Sequence, residues 1–197
     1  MASVRRLVVV SVVVGVVLVA RSFVAAILVT FQAPHGARQA MASLDRELSR
    51  AVETQIDEAK IESLDELVEL SLGMTGERLR FGLGHKTSLA FDSKVREGNC
   101  IEYAHLFATV FNRAADRKRI AARAYVVHSD ARVVGLRLPV RGLDDHDWVM
   151  VVPMPGGTRR LFVDPTLDDL GLGWDIARSV AGDVHAPSAR LRAAPAE

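Results

Sequence analysis

From Leu7 to Phe31 the chain carries one charge, Arg21, among Val, Leu, Ile, Ala and Phe residues, and this run follows the basic pair Arg5-Arg6. A helix over those residues, at ~1.5 Å per residue, would be ~37 Å long, more than the ~30 Å hydrocarbon core of a bilayer. Arg21 would cost about 2.5–3.5 kcal/mol near mid-membrane, which snorkelling reduces and the surrounding apolar side chains outweigh. The run therefore reads as an N-terminal transmembrane helix, a signal anchor that keeps Arg5 and Arg6 in the cytoplasm and holds an exported, periplasmic or extracellular domain at the membrane. The alternative is a cleaved signal peptide with Ala40-Met41-Ala42 as its small-x-small site, which would leave a secreted protein.

The 197 residues leave room for one domain plus this appendage. Residues 1–42 are expected to be the anchor or signal with a short Pro/Gly linker, 43–182 the folded domain, and 183–197 a disordered tail. Four of the 25 basic residues and none of the 24 acidic ones precede residue 43, so the rest of the chain is slightly acidic, 21 against 24. That surface does not suit phosphates, and no nucleic-acid partner is expected. The single cysteine, Cys100, allows neither an internal disulfide nor a cysteine-based zinc site. No metal or cofactor is expected.

Leu44, Leu48, Val52, Ile56 and Ala59 recur at helical spacing, and a second helix starts at the capping box Ser63-Leu64-Asp65-Glu66 and stops at the Gly73–Gly76 break. Phe81–Gly98 reads as loop, with Gly82, Gly84 and Gly98 as breakers. Asn99-Cys100-Ile101-Glu102 then offers an Asn cap with Glu at the third helical position, ahead of an apolar face of Ile101, Ala104, Phe107, Ala108, Phe111 and Ala115. Strand patterns follow at Ala121–Val127, Val133–Val140, Asp147–Val152 and Arg160–Asp164. Helices first and strands afterwards predict an α+β fold, with the Cys-bearing helix on an antiparallel sheet.

Cys100 thus falls on the first turn of a buried helix, where the unpaired N–H groups and the helix dipole favour a thiolate. In the hairpin joining the last two strands, a turn centred between Pro155 and Gly156 brings His146 and Asp164 face to face within one residue of slip. Opposed Cβ atoms lie ~4.5–5.5 Å apart, close enough for the carboxylate to orient the imidazole. Asp144-Asp145-His146-Asp147 also invites a metal reading, but His146 and Asp147 alternate across a strand and point to opposite faces. His105 is expected at the surface or core edge, His35 and His185 in loops, His128 after a strand, and Trp148 in the sheet core.

Gly98-Asn99-Cys100-Ile101-Glu102-Tyr103-Ala104-His105-Leu106 resembles the G-x-C-x-x-[YF]-A-x-L segment of the transglutaminase-like superfamily. Ile120–Val126 is similar to that family's G-I-P-A-R-x-V strand without its Gly and Pro, His146-Asp147-Trp148-Val149 to its H-A-W-V motif, and Val163-Asp164-Pro165-Thr166 to its V-D-P-T. The resemblance implies a papain-like transglutaminase core in which Cys100 is the nucleophile, His146 the base and acid, and Asp164 the carboxylate that orients His146. The implied activity is that of a cysteine-dependent amide hydrolase or acyltransferase on a peptide or protein substrate, with hydrolysis favoured over cross-linking. The Cys100 N–H is the first oxyanion donor under this reading, and Asn99, His85 or Lys86 is the candidate second. The alternative function is a catalytically inactive binding or assembly module of the same fold at the membrane.

Overall fold

The computed structural model describes residues 29–32, 34–137, 145–154, 159–182 and 184. Most of the expected membrane helix, residues 7–28, lies outside them, and among the described residues no helix is long and apolar enough to cross a bilayer. The end of that helix is a correction: Val29–Gln32 is not helical but forms strand β1, antiparallel to β7 (Ala122–Val133), with Phe31 opposite Ala131. Val29, Thr30 and Phe31 are β-branched or aromatic, and the pairing buries Phe31 to 1% exposure against the far face of the sheet. The stretch expected to be linker is also part of the sheet, because β2 (Ala37–Arg38) pairs with Val127 and Val126. A cut after Ala42 would strip both strands from the domain.

The first two helices form where the periodicity places them. Helix α1 (Arg46–Glu58) is capped by Asp45 and buries Leu48, Val52 and Ile56. Helix α2 (Leu64–Gly76) opens with the reciprocal Ser63/Glu66 capping box. Helix α3 (Cys100–Lys118) begins with a second such box, Asn99/Glu102, and ends at Arg119, whose φ of 57° turns the chain out of the helix. The Phe81–Gly98 segment, expected to be loop, holds β5 (Ala90–Phe91) and β6 (Arg96–Gly98). These pair in parallel with β3 (Ser43–Leu44) and β4 (Leu79–Phe81). Strands of two or three residues are too short to register as alternation.

The main sheet is antiparallel, with β1 and β2 on one side of β7, then β8 (Asp145–Pro153) and β9 (Leu161–Val163). Strand β7 runs on past the expected end at Val127 to Val133, and the strand expected over Val133–Val140 gives way to a tight turn at Val134-Gly135, with residues 138–140 outside the described set. Helix α3 packs on one face through Tyr103, Phe107 and Phe111 with Val126, Val149, Val151 and Val163. The other face carries Phe31, Tyr125, Val127, Trp148 and Met150. Trp148 is fully buried there, as expected of sheet core, and its indole N–H donates to Ser129 Oγ at 2.9 Å. Of the expected tail, only Val184 is described. It is buried, and its carbonyl accepts from Arg160.

Candidate active site

Cys100 opens α3 because Asn99 captures the helix's first free amides: its Oδ1 accepts from the N–H of Ile101 and Glu102 at 3.1 and 3.3 Å. Gly98 lets the chain enter closely, since a Cβ there would meet Leu79 Cδ2 at 2.9 Å. Cys100 as a residue is 7% exposed. Beneath this first turn lies Glu102, wholly buried, which accepts hydrogen bonds from Asn99 N at 3.1 Å and Ser88 N at 3.1 Å. It also meets His85 Nε2 at 2.5 Å and Arg96 Nη2 at 3.0 Å. Four donors offset the cost of burying this carboxylate, and they fasten the Gly-containing loop to the head of α3.

Two of the three candidates for the second oxyanion donor, Asn99 and His85, are drawn into this framework. Asn99 spends its carbonyl on the cap and its amide on Thr87 Oγ1 at 2.8 Å. His85 meets Glu102 through Nε2, while its Nδ1 is buried without a hydrogen-bond partner.

His146 and Asp164 meet, but not as directly facing residues. The β8–β9 register pairs Val149 with Val163, so Asp164 comes opposite Trp148, two positions along from His146. Two positions preserve the face of the sheet, and the diagonal is short enough for His146 Nε2 to lie 2.7 Å from Asp164 Oδ2. The other carboxylate oxygen, Oδ1, caps α4 (Pro165–Asp169) by accepting from Thr166 N at 3.0 Å and Leu167 N at 3.1 Å. With Asp164 fully buried and His146 14% exposed, the carboxylate is held in one orientation by three donors.

Cys100 lies close enough to the ring to act on its charge. Nε2 is committed to Asp164, so Nδ1 is the ring nitrogen not engaged by that carboxylate. Burial disfavours the imidazolium, but the charge and hydrogen bond of Asp164, reinforced by Cys100, outweigh it and raise the His146 pKa well above its ordinary 6.5. The ring also stacks on Phe31, with centroids 5.1 Å apart and planes at 18°. Phe31 was invisible as a site residue because its apolar neighbours assigned it to the anchor.

A pH dependence follows from the raised His146 value. The proton binds more tightly in the folded chain, so its stabilising contribution is complete below about pH 6.5 and is lost as pH rises through the raised folded value. Urea midpoints of the wild type and His146→Gln are expected to differ most near pH 6 and to converge towards alkaline pH. A difference that grows with pH would refute the assignment.

Asp147, the acid next to His146, points the other way, as the alternation requires. It is 1% exposed, accepts from Arg38, and meets His128 Nδ1 at 2.6 Å, so it ties β2, β7 and β8 together. His128 lies within β7 rather than after a strand. His105 is deeper than expected, at 1% exposure, with its Nδ1 accepting from Met41 N at 3.0 Å. Among the described residues no group of three or more His, Cys, Asp or Glu is placed to hold a metal ion. A cavity of about 370 Å³, lined by His35, Arg38, Ile101, His128 and Asp147, lies against the first turn of α3.

No protein-family model, curated protein or solved structure matches this chain.

Proposed function

We propose that the protein is a transglutaminase-like cysteine enzyme with a papain-like core, acting on an amide of a peptide or protein substrate. The observation that carries this reading is the hydrogen bond of His146 to the buried, doubly anchored Asp164, with Cys100 on the first turn of α3 close enough to act on the charge of the same ring. In this mechanism Cys100 gives its thiol proton to His146 and its Sγ attacks the amide carbonyl carbon, and the Cys100 N–H faces the oxygen that becomes negative. The C–N bond breaks as His146 gives its proton to the departing amine, leaving a thioester. Water then gives a proton to His146 and attacks the thioester carbon; the C–S bond breaks, the acid leaves, and His146 returns the proton to the sulfur. Asp164 keeps the ring in one tautomer and stabilises its charged form without taking the proton. We further propose that residues 7–28 anchor the chain in a membrane, with the domain exported.

The burial of Cys100 favours, as the second reading, an inactive module that uses the same fold for binding. Alkylation of the full chain by iodoacetamide at pH 7 separates the two. An activated Cys100 is expected to react at least about tenfold faster than free cysteine. A rate equal to or below that of free cysteine would sink the enzyme reading and leave the module.

A further inference from the structure

The turn that closes β7 combines two features that are each unfavourable in water. Val134 and Leu136 are the most exposed large apolar residues described, at 65% and 68%. Val133 N donates to Leu136 O at 2.9 Å and Leu136 N to Val133 O at 3.0 Å, which makes Val134-Gly135 a two-residue hairpin turn. Its φ values are 52° and 74°, both left-handed. Asn-Gly is the ordinary occupant of such a turn, and a β-branched residue at positive φ is a genuine outlier. Neither local backbone preference nor hydration accounts for valine there.

The register supplies an apolar partner. Val29 is paired with Val133, so the start of β1 lies beside this tip, and the sequence immediately before Val29 is the apolar run from Leu7. Arg132 and Arg137 flank the turn, with Arg137 3.9 Å from Asp130. Such side chains lay their stems along apolar surface and carry their charge to the headgroup level.

We infer that Val134 and Leu136 insert into the surface of the bilayer in which residues 7–28 are anchored, so that β1 and β7 stand on the membrane by their common end. The insertion rests on the anchor reading alone, and the substrate class it implies rests also on the chemistry proposed at Cys100. It also sets the height of the candidate site. Phe31 is two residues from Val29, and Ser129, which faces His146, is four residues from Val133, or ~7 and ~13 Å along strands rising ~3.3 Å per residue. Only amides held within a few nanometres of the lipid surface would reach it, which makes the substrate class membrane-proximal peptide or protein segments.

The test uses the full chain in vesicles of phosphatidylcholine and phosphatidylglycerol. A single cysteine is introduced by Val134→Cys, or by Val95→Cys as the control at another exposed apolar position, in a Cys100→Ala background, and is labelled with an environment-sensitive fluorophore. The expected result is that lipid-borne nitroxide quenches the label at 134 at least about threefold more than that at 95, and aqueous iodide the reverse. Equal quenching at both positions in vesicle-bound protein overturns the inference. So does shielding from iodide without quenching by the lipid nitroxide, which would assign the tip to a protein partner or a second copy. A full chain that stays in the aqueous phase overturns the anchor reading and this inference together. Val134→Asn adds an independent readout: it is expected to raise the thermal midpoint of the domain while lowering the nitroxide quenching of a label at Leu136→Cys. Unchanged quenching there would count against insertion.

Discussion

Replacing His146 with glutamine is expected to slow acylation of Cys100 by an activated ester about 10²–10⁴-fold, the usual contribution of a positioned acid–base group. Glutamine is chosen because its amide can still donate to Asp164, so the buried carboxylate keeps a partner and the fold is retained. His146→Ala would instead leave that carboxylate short of a donor and confuse instability with lost chemistry. Stopped-flow acylation followed by intact-mass detection of the adduct on Cys100 reads the rate directly. A fall of less than about tenfold would mean that the ring does not activate the sulfur, and would favour the binding-module reading.

Asp164→Ala is expected to lower unfolding stability by about 3–5 kcal/mol, the range for removing one partner of a buried charged pair. Three donors converge on this carboxylate, the His146 ring and the Thr166 and Leu167 amides, and alanine would orphan all three in a site with no exposure. Such a loss is a large share of the 5–15 kcal/mol typical of a domain. Asp164→Asn keeps an oxygen for the helix cap and forfeits mainly the charge towards His146, so its cost should be nearer 1.5–3 kcal/mol. Urea denaturation of the three proteins at pH 7 orders them. An alanine variant within about 1 kcal/mol of wild type would contradict the burial and bonding described for this residue.

The two capping boxes illustrate what could be read before any coordinates. Ser63/Glu66 and Asn99/Glu102 are local signals of fixed spacing, and both formed as the spacing requires. The apolar face of α3 and the order of helices and strands were equally legible, because periodicity reports burial within one element. Phe31 was not legible. An apolar run of twenty-odd residues hides a strand at its end, since nothing local distinguishes Val29–Phe31 from the residues before them. Only pairing with β7, a hundred residues away, decides the matter.

The meeting of His146 with Asp164 was anticipated, but its register was off: the pairing places them two positions apart, a shift that keeps the face and changes the partner. Glu102 was seen only as half of a cap, because its ties to His85, Ser88 and Arg96 depend on how the preceding loop folds back.

The stacking of Phe31 on His146 also bears on the order in which the molecule is made. Phe31 leaves the ribosome first, Cys100 later, and His146 and Asp164 last. Strand β1 has no sheet to join until β7 exists, and the ring has no fixed orientation until Asp164 caps α4. Contacts of such long sequence separation form late and slowly, because the loop must be closed before they stabilise anything. The nascent chain therefore carries an unassembled thiol, and Cys100, His146 and Asp164 share one site only when the chain from β7 to α4 has folded back onto β1.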